Sequence, residues 1–296
     1  KEPENWKINK KKFKIIKKFS YFDKKNNIEY SAILERSENE YYTTLKDSNI
    51  FKKKQDYKFE ITITNDSKEY IIQSLLNLLH YITKYPKIIT KETQNNVLKK
   101  YNDLIKDDVK IMSYNKKGTI PLLAPKPITL EKVNLIDPKE YGSVSILEGY
   151  TVTEKADGER LLMYIDDIGD IYMINNTYNI INTGMTSLSN LYNSLIDGEY
   201  VTCDKRKDNS SKHLFAAFDM YYIKGKNITN LPLLGDLSRL THLNFSKSYI
   251  ENSKTNVEFT VKKFLYNDKN SSIYEKCKEI LINHKSYPYE IDGLIF

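Results

Sequence analysis

A chain of 296 residues, 40% hydrophobic and 29% charged, is long enough for one large domain or two ordinary ones, and too apolar for a disordered polymer. Its net charge of +7 suits a polyanionic partner without requiring one. Cys203 and Cys277 make no disulfide framework and point to a reducing compartment, and the scattered His80, His213, His242 and His284 make no zinc cluster; no signal peptide or membrane-length apolar run is seen. The bias toward lysine, asparagine, isoleucine and tyrosine (24 tyrosines) is what an AT-rich genome would impose. The chain opens on Lys1 rather than methionine and stops on an apolar strand, so it reads as a piece of something longer.

Three alternating or nearly alternating stretches come first: Phe13–Ile16, Tyr30–Arg36 and Lys58–Ile63, with polar turns such as Lys24-Lys25-Asn26-Asn27 between them. They suit a barrel with a polar, anion-binding interior or a sheet with one wet face. Alternation puts Glu60 on the polar side and its neighbours Phe59 and Ile61 on the core side. A helix is expected from Lys68 to about Tyr85, with Ile71, Ile72, Leu75, Leu76, Leu78, Leu79 and Ile82 on its apolar side and Pro86 ending it. A second, weaker helix is expected from Lys91 to Ile105. The Gly- and Pro-punctuated run from Lys116 to Asp137 (Gly118, Pro121, Pro125, Pro127, with Pro138 next) is the expected boundary between a domain at 1–118 and another at 119–296. Further on, strands are expected at 149–155, 160–166, 170–182, 196–202, 213–223, 257–266 and 289–296, and helices at about 187–194, 233–243 and 271–283.

The most informative stretch is Glu154-Lys155-Ala156-Asp157-Gly158-Glu159-Arg160, set between the apolar runs Tyr150–Thr153 and Leu161–Ile165. A lysine at a strand end can serve as a nucleophile if burial or nearby cations lower its pKa. Asp-Gly is also a common hairpin signal, so this motif alone reads equally well as an exposed turn. Four more stretches follow in order. Leu195–Tyr200 carries Asp197-Gly198-Glu199. Leu214–Tyr222 carries Phe218-Asp219. Leu231-Pro232-Leu233-Leu234 leads to Arg239. Tyr289–Phe296 carries Glu290-Ile291-Asp292-Gly293. Singly, Phe218 reads as core, the Asp-Gly pairs as turns and Arg160 as a solvated group; together and in order, each on an expected strand, they point to one site.

In that order the motifs resemble those of the covalent nucleotidyltransferases, mRNA guanylyltransferases and polynucleotide ligases, with the specific likeness over about 150–296. The resemblance implies an α+β chain: a mostly antiparallel β nucleotidyltransferase domain of the ATP-grasp-like, ligase and capping type, preceded by part of a β-tunnel triphosphatase-like domain. It implies that Lys155 attacks the α-phosphate of GTP, and that Glu154, Asp157, Gly158, Arg160, Glu199 and Phe218 bind the nucleotide, Phe218 by stacking on the base. Asp292 and Glu199 would hold Mg²⁺ or Mn²⁺, and Asp219 neighbouring backbone or metal waters. Asp at 292, in Asp-Gly-Leu-Ile-Phe, resembles capping enzymes more than ligases, where glutamate is usual. The N-terminal strands, the helix and Ala124–Leu130 look like the latter half of a tunnel-type RNA triphosphatase joined to a guanylyltransferase. This layout is similar to the large capping enzymes of cytoplasmic DNA viruses and linear plasmids. The implied protein is a cytoplasmic, multifunctional enzyme acting on the 5′ end of nascent RNA, with a cap methyltransferase and RNA polymerase as further partners and no membrane. Glu60 would be a triphosphatase metal ligand, although Lys58 and Thr62 stand where alternating glutamates are usual, and the Lys-x-Lys motif and OB domain would lie after Phe296. Two alternatives remain: an ATP-dependent polynucleotide ligase, and a non-catalytic RNA-binding remnant using Lys7, Lys10–Lys12, Lys17, Lys18 and Lys52–Lys54 on phosphates.

Overall fold

The computed structural model describes residues 9–24, 27–63, 68–83, 87–109, 123, 125, 127–141, 144–201, 213–252, 255–267 and 271–296. Lys7, Cys203 and much of the expected linker lie outside them. The chain divides into two compact units, Lys1–Thr83 and Lys84–Phe296. The division falls ahead of the second helix, not at the Gly- and Pro-rich run, because that helix is bound into the second unit's core.

In the first unit, β1 (Lys14–Asp23), β2 (Ile28–Ser37) and β3 (Asp56–Ile63) form an open antiparallel sheet in that order, followed by α1 (Lys68–Thr83). The register places Lys14, Lys18, Ser20, Glu29, Ser31, Glu35, Lys58 and Glu60 on one face. Lys14 and Lys58 both reach Glu35 Oε2, at 2.9 and 2.8 Å, and Lys18 reaches Glu29 at 3.4 Å. The hydrogen bonds from Lys58, then Lys14, hold the Glu35 carboxyl below the usual carboxylate range. Glu60 does share a face with basic side chains, but it is exposed. The expectation that Phe59 lies against a core is not met: it is 59% exposed on the edge strand.

The second unit begins with α2 (Lys91–Val109), then α3 (Pro138–Tyr141). Val97, Tyr101 and Ile105, spaced four apart, form the buried stripe by which α2 packs on Leu162, Tyr164, Tyr172 and Ile174. The large sheet takes β5 (Glu159–Ile165), β6 (Asp170–Ile174), β7 (Ile180–Ser187), β8 (Ser194–Val201), β9 (His213–Ile223), β10 (Lys226–Asn227), β11 (Ile250–Glu251) and β12 (Val257–Val261). Its order is β10-β9-β8-β5-β6-β7-β11, all antiparallel, with β12 joining β9 in parallel. Alternate residues of β5 enter two cores. Leu161, Met163 and Ile165 meet Phe215, Met220 and Leu243, while Leu162 and Tyr164 meet α2. Burial on both faces is why this strand reads as a continuous apolar run, each such side chain stabilising the fold by about 1.5–3 kcal/mol. A smaller sheet, β13 (Leu265–Tyr266), β4 (Thr151–Ala156) and β14 (Ile291–Ile295), packs on α5 (Ile273–Ile282), while α4 (Arg239–Ser246) lies over β9.

Four expected boundaries are corrected. The run 170–182 is a hairpin, turning where Asn175 Oδ1 accepts from the amides of Thr177 and Asn179. The helix expected at 187–194 is a three-residue 3-10 turn, Ser189–Leu191. The helix expected at 233–243 starts only at Arg239, where Ser238 caps it by accepting from the Thr241 amide. The strand expected over 257–266 is broken into β12 and β13. Among the described residues no helix is long and apolar enough to cross a membrane.

Candidate active site

Lys155 lies on β4 in the small sheet, and the turn at Asp157-Gly158 carries the chain into β5 of the large one. The turn is closely packed: a Cβ on Gly158 would come within 2.6 Å of the Tyr200 carbonyl oxygen, so only glycine fits there. The Asp157 amide donates to the Glu290 carbonyl at 2.9 Å, tying the turn to the approach to β14.

On β14 the register slips: Ile291 faces Ala156 and Gly293 faces Lys155, which leaves Asp292 as the extra residue of a bulge. Both Asp292 carboxylate oxygens accept from Lys155 Nζ at 2.7 Å. That hydrogen bond raises the Lys155 pKa against a smaller opposing effect of burial, with Glu199 and Asp157 adding to the rise. The two side chains are about half exposed, so the pair is open to solvent.

Two further bulges shape the large sheet's contribution. Between β8 and β9 the register skips Phe218 and, further along, Tyr221. Tyr221 donates its hydroxyl to Asp197 Oδ2 at 2.5 Å, and Arg160 forks onto the same carboxylate, Nε to Oδ1 at 3.1 Å and Nη2 to Oδ2 at 2.5 Å. Arg160 also donates to the Pro125 carbonyl at 2.6 Å, and its guanidinium lies 5.5 Å from the centre of the half-buried Phe218 ring. Burial opposes the charge on Arg160, but Asp197 outweighs it and raises the pKa. Glu199 is raised chiefly by burial, countered by the positive charges of Lys262, Lys155 and Arg160, three cations that converge on one carboxylate. Asp219 accepts a fork from Arg239, at 2.8 and 3.1 Å, and a bond from the Met220 amide at 2.8 Å.

Behind Lys155 lies a buried network. Glu154 has no exposed surface; Tyr289 donates to its Oε1 at 2.5 Å and Thr153 to its Oε2 at 2.8 Å. Lys262, itself buried, donates to the Glu154 carbonyl at 2.5 Å and lies 3.5 Å from its carboxylate and 5.7 Å from the Phe218 ring centre. Burial, with Lys155 adding to it, lowers the Lys262 pKa against Glu154 and Glu199.

The structure therefore brings together Lys155, Asp292, Glu199, Arg160, Phe218 and the Asp157-Gly158 turn, and sets Glu154 behind them. Glu60 belongs to the first unit. Sequence reasoning missed Asp197 as the seat of Arg160, together with Tyr221, Tyr289 and Lys262; the available signal for the last was a lysine closing the apolar run of β12. Glu199 and Asp292 offer hard oxygen donors of the kind Mg²⁺ takes along with substrate phosphates, so the donor chemistry fits a divalent ion. Among the described residues there is no three-ligand cluster that would hold a metal by protein alone.

The profile of the mRNA capping enzyme catalytic domain matches residues 86–296. Over 174 residues, 57% of this chain, the sequence is 28% identical to the probable mRNA-capping enzyme of Acanthamoeba polyphaga mimivirus, and the match spans 13% of that protein. With the profile covering all the motifs above and well over half of its length, the chain belongs to the mRNA capping enzyme catalytic-domain family.

Proposed function

We propose that this chain is an mRNA guanylyltransferase in which Lys155 carries GMP from GTP to a 5′-diphosphate RNA end. The observation that carries the reading is the clasp of the half-exposed Lys155 Nζ by Asp292, with Glu199 close enough to feel the charges of both Lys155 and Arg160. The unprotonated amine attacks the α-phosphorus: the N–P bond forms, the bond to the bridging oxygen breaks, and pyrophosphate leaves. A terminal phosphate oxygen of the RNA then attacks the same phosphorus, the P–N bond breaks, and the amine regains its proton. Asp292 holds the amine protonated in the resting site, so it must give up that contact before attack; Asp292 and Glu199 would hold the divalent ion, which supplies charge neutralisation at the phosphates. Arg160, fixed by Asp197, lends positive charge from the nucleophile's own turn. Phe218 offers a ring for the base, and Glu154 acts through the placement of β4.

A hydrolytic role for the first unit, as an attached RNA 5′-triphosphatase module, has less behind it. Glu60 is exposed, and Glu29 and Glu35 on the same face are each bound to lysines. Replacing Glu60 with alanine and following γ-phosphate release from triphosphate-ended RNA tests it. For guanylyl transfer the test is covalent labelling from α-phosphate-labelled GTP with Mg²⁺ or Mn²⁺, beside an ATP control. Label is expected from GTP and none in Lys155→Arg, whose side chain keeps its charge but is never neutral. Label from ATP alone would move the chain to the ligases, and label that survives Lys155→Arg would remove the nucleophile.

A further inference from the structure

The first unit's sheet has a second face that guanylyl transfer does not use. Lys17, Phe19 and Tyr21 of β1, Tyr30, Ala32, Leu34 and Arg36 of β2, and Tyr57, Phe59 and Ile61 of β3 share it. Four of its aromatic side chains are open to solvent: Phe19 at 52%, Tyr21 at 70%, Tyr57 at 72% and Phe59 at 59%. Phe19 and Phe59 stand in one cross-strand row on either side of Ala32, so the two phenyl-bearing positions are about 10 Å apart with only a methyl between them. Lysines stand on both faces, but the carboxylates are unevenly divided. Glu29, Glu35, Asp56 and Glu60 all project from the opposite side, and apart from Asp23 at the end of β1 this face carries only cations. Lys17 lies 4.9 Å over the Phe19 ring. At one end of the face Ile15, Lys17, Leu34, Arg36, Phe51 and Gln55 line a recess of about 360 Å³. It combines an exposed phenyl ring with two positive charges, of which Arg36 also donates to the Phe51 carbonyl and the Gln55 amide oxygen.

We infer that this face binds single-stranded RNA, with bases stacked on Phe19, Phe59 and Tyr57 and the backbone drawn along Lys17 and Arg36. Exposed aromatic rings on a sheet face edged by cations, with Asp23 at the end of β1 its one carboxylate among the described strands, suit unpaired bases, because every base offers a π-face and every nucleotide a phosphate. A duplex hides its bases and cannot use such rings. A second copy of the same face would bring Lys17 and Arg36 against their own kind. The face thus deepens the proposed function, giving the body of the RNA acceptor a binding surface on the first unit, and rests on that function only for why RNA would be present.

The test is fluorescence anisotropy of the full chain with a labelled oligouridylate of about 12 nucleotides, beside a duplex RNA of equal length. Phe19→Ala and Phe59→Ala are each expected to weaken single-strand binding about 5- to 100-fold. Phe19→Tyr should preserve it, and Lys17→Glu should weaken it and flatten its salt dependence. Phe22→Ala, on the opposite face of the same strand, is expected to bind like the parent. GMP labelling of Lys155, followed in every variant, should not change, so failure of this face and failure of guanylyl transfer are read separately. Unchanged affinity in the alanine variants, equal loss for duplex and single strand, or loss of a concentration-dependent dimer in place of RNA binding would each overturn the inference.

Discussion

Lys155 and Asp292 hold each other through two bonds of 2.7 Å, yet the groups behind them set how firmly they can do so. Glu154 is an ionisable side chain without exposed surface, satisfied by Tyr289, Thr153 and Lys262. Tyr289→Phe leaves Glu154 Oε1 with only the longer 3.5 Å contact to Lys262 and should lower stability by about 1–3 kcal/mol. Lys262→Met leaves that carboxylate without its buried counter-charge and should cost about 3–5 kcal/mol, both read from urea unfolding. Equal midpoints for parent and Lys262→Met would mean the network does not hold β4. A neighbouring constraint is steric. A Cβ at Gly198 would sit 2.5 Å from the Phe215 ring, so Gly198→Ala is expected to destabilise by about 1–3 kcal/mol, as overpacked cores do. Lys155, Arg160, Glu199 and Asp292, the residues to which the proposal gives chemistry, were singled out in the sequence because each stands in a short motif. Their buried supports were not. Asp197 and Gly198 were expected on a strand, as β8 shows them, but only the fold places them beneath Arg160 and against Phe215.

Among the elements, the long apolar or alternating ones were readable and the interruptions were not. The strand expected at 213–223 is β9, His213–Ile223, as read, but its residues do not keep a period of two: the bulges at Phe218 and Tyr221 turn side chains toward the site that alternation would point elsewhere. Asp292 is displaced in the same way. In the first unit, Glu35 ties the outer strands together by accepting from Lys14 on β1 and Lys58 on β3. Because its pKa is lowered from 4.5 in the folded sheet, its contribution is present above pH 4.5 and is lost as pH falls through the lower folded value. Acid unfolding of the first unit should therefore be less pH-dependent in Glu35→Gln than in the parent. Parallel acid titrations of the two proteins, followed by tryptophan-independent far-ultraviolet dichroism, check this.

At the scale of the molecule, the two compact units divide the expected work. A chain beginning at Lys84 retains every residue of the candidate site and should take GMP label as the longer chain does, while losing the affinity for single-stranded RNA placed on the first sheet. Gel labelling and anisotropy on the same preparation check both halves; loss of label on removing residues 1–83 would show that the first unit supports the site itself. The division was only partly legible. The Gly- and Pro-rich run drew the eye as a boundary, whereas α2 ahead of it is held by Val97, Tyr101 and Ile105 in the second core. The turn at Asp157-Gly158 has a consequence for inheritance. It joins a sheet bearing Lys155 to another bearing Arg160 and Glu199, and the Tyr200 carbonyl closes the space beside it. Codons can be gained or lost in the open hairpin at 175–179 over a lineage's history, but each one added at 157–158 would move Lys155 out of step with the groups it faces, so the length of that turn should be as faithfully transmitted as its glycine.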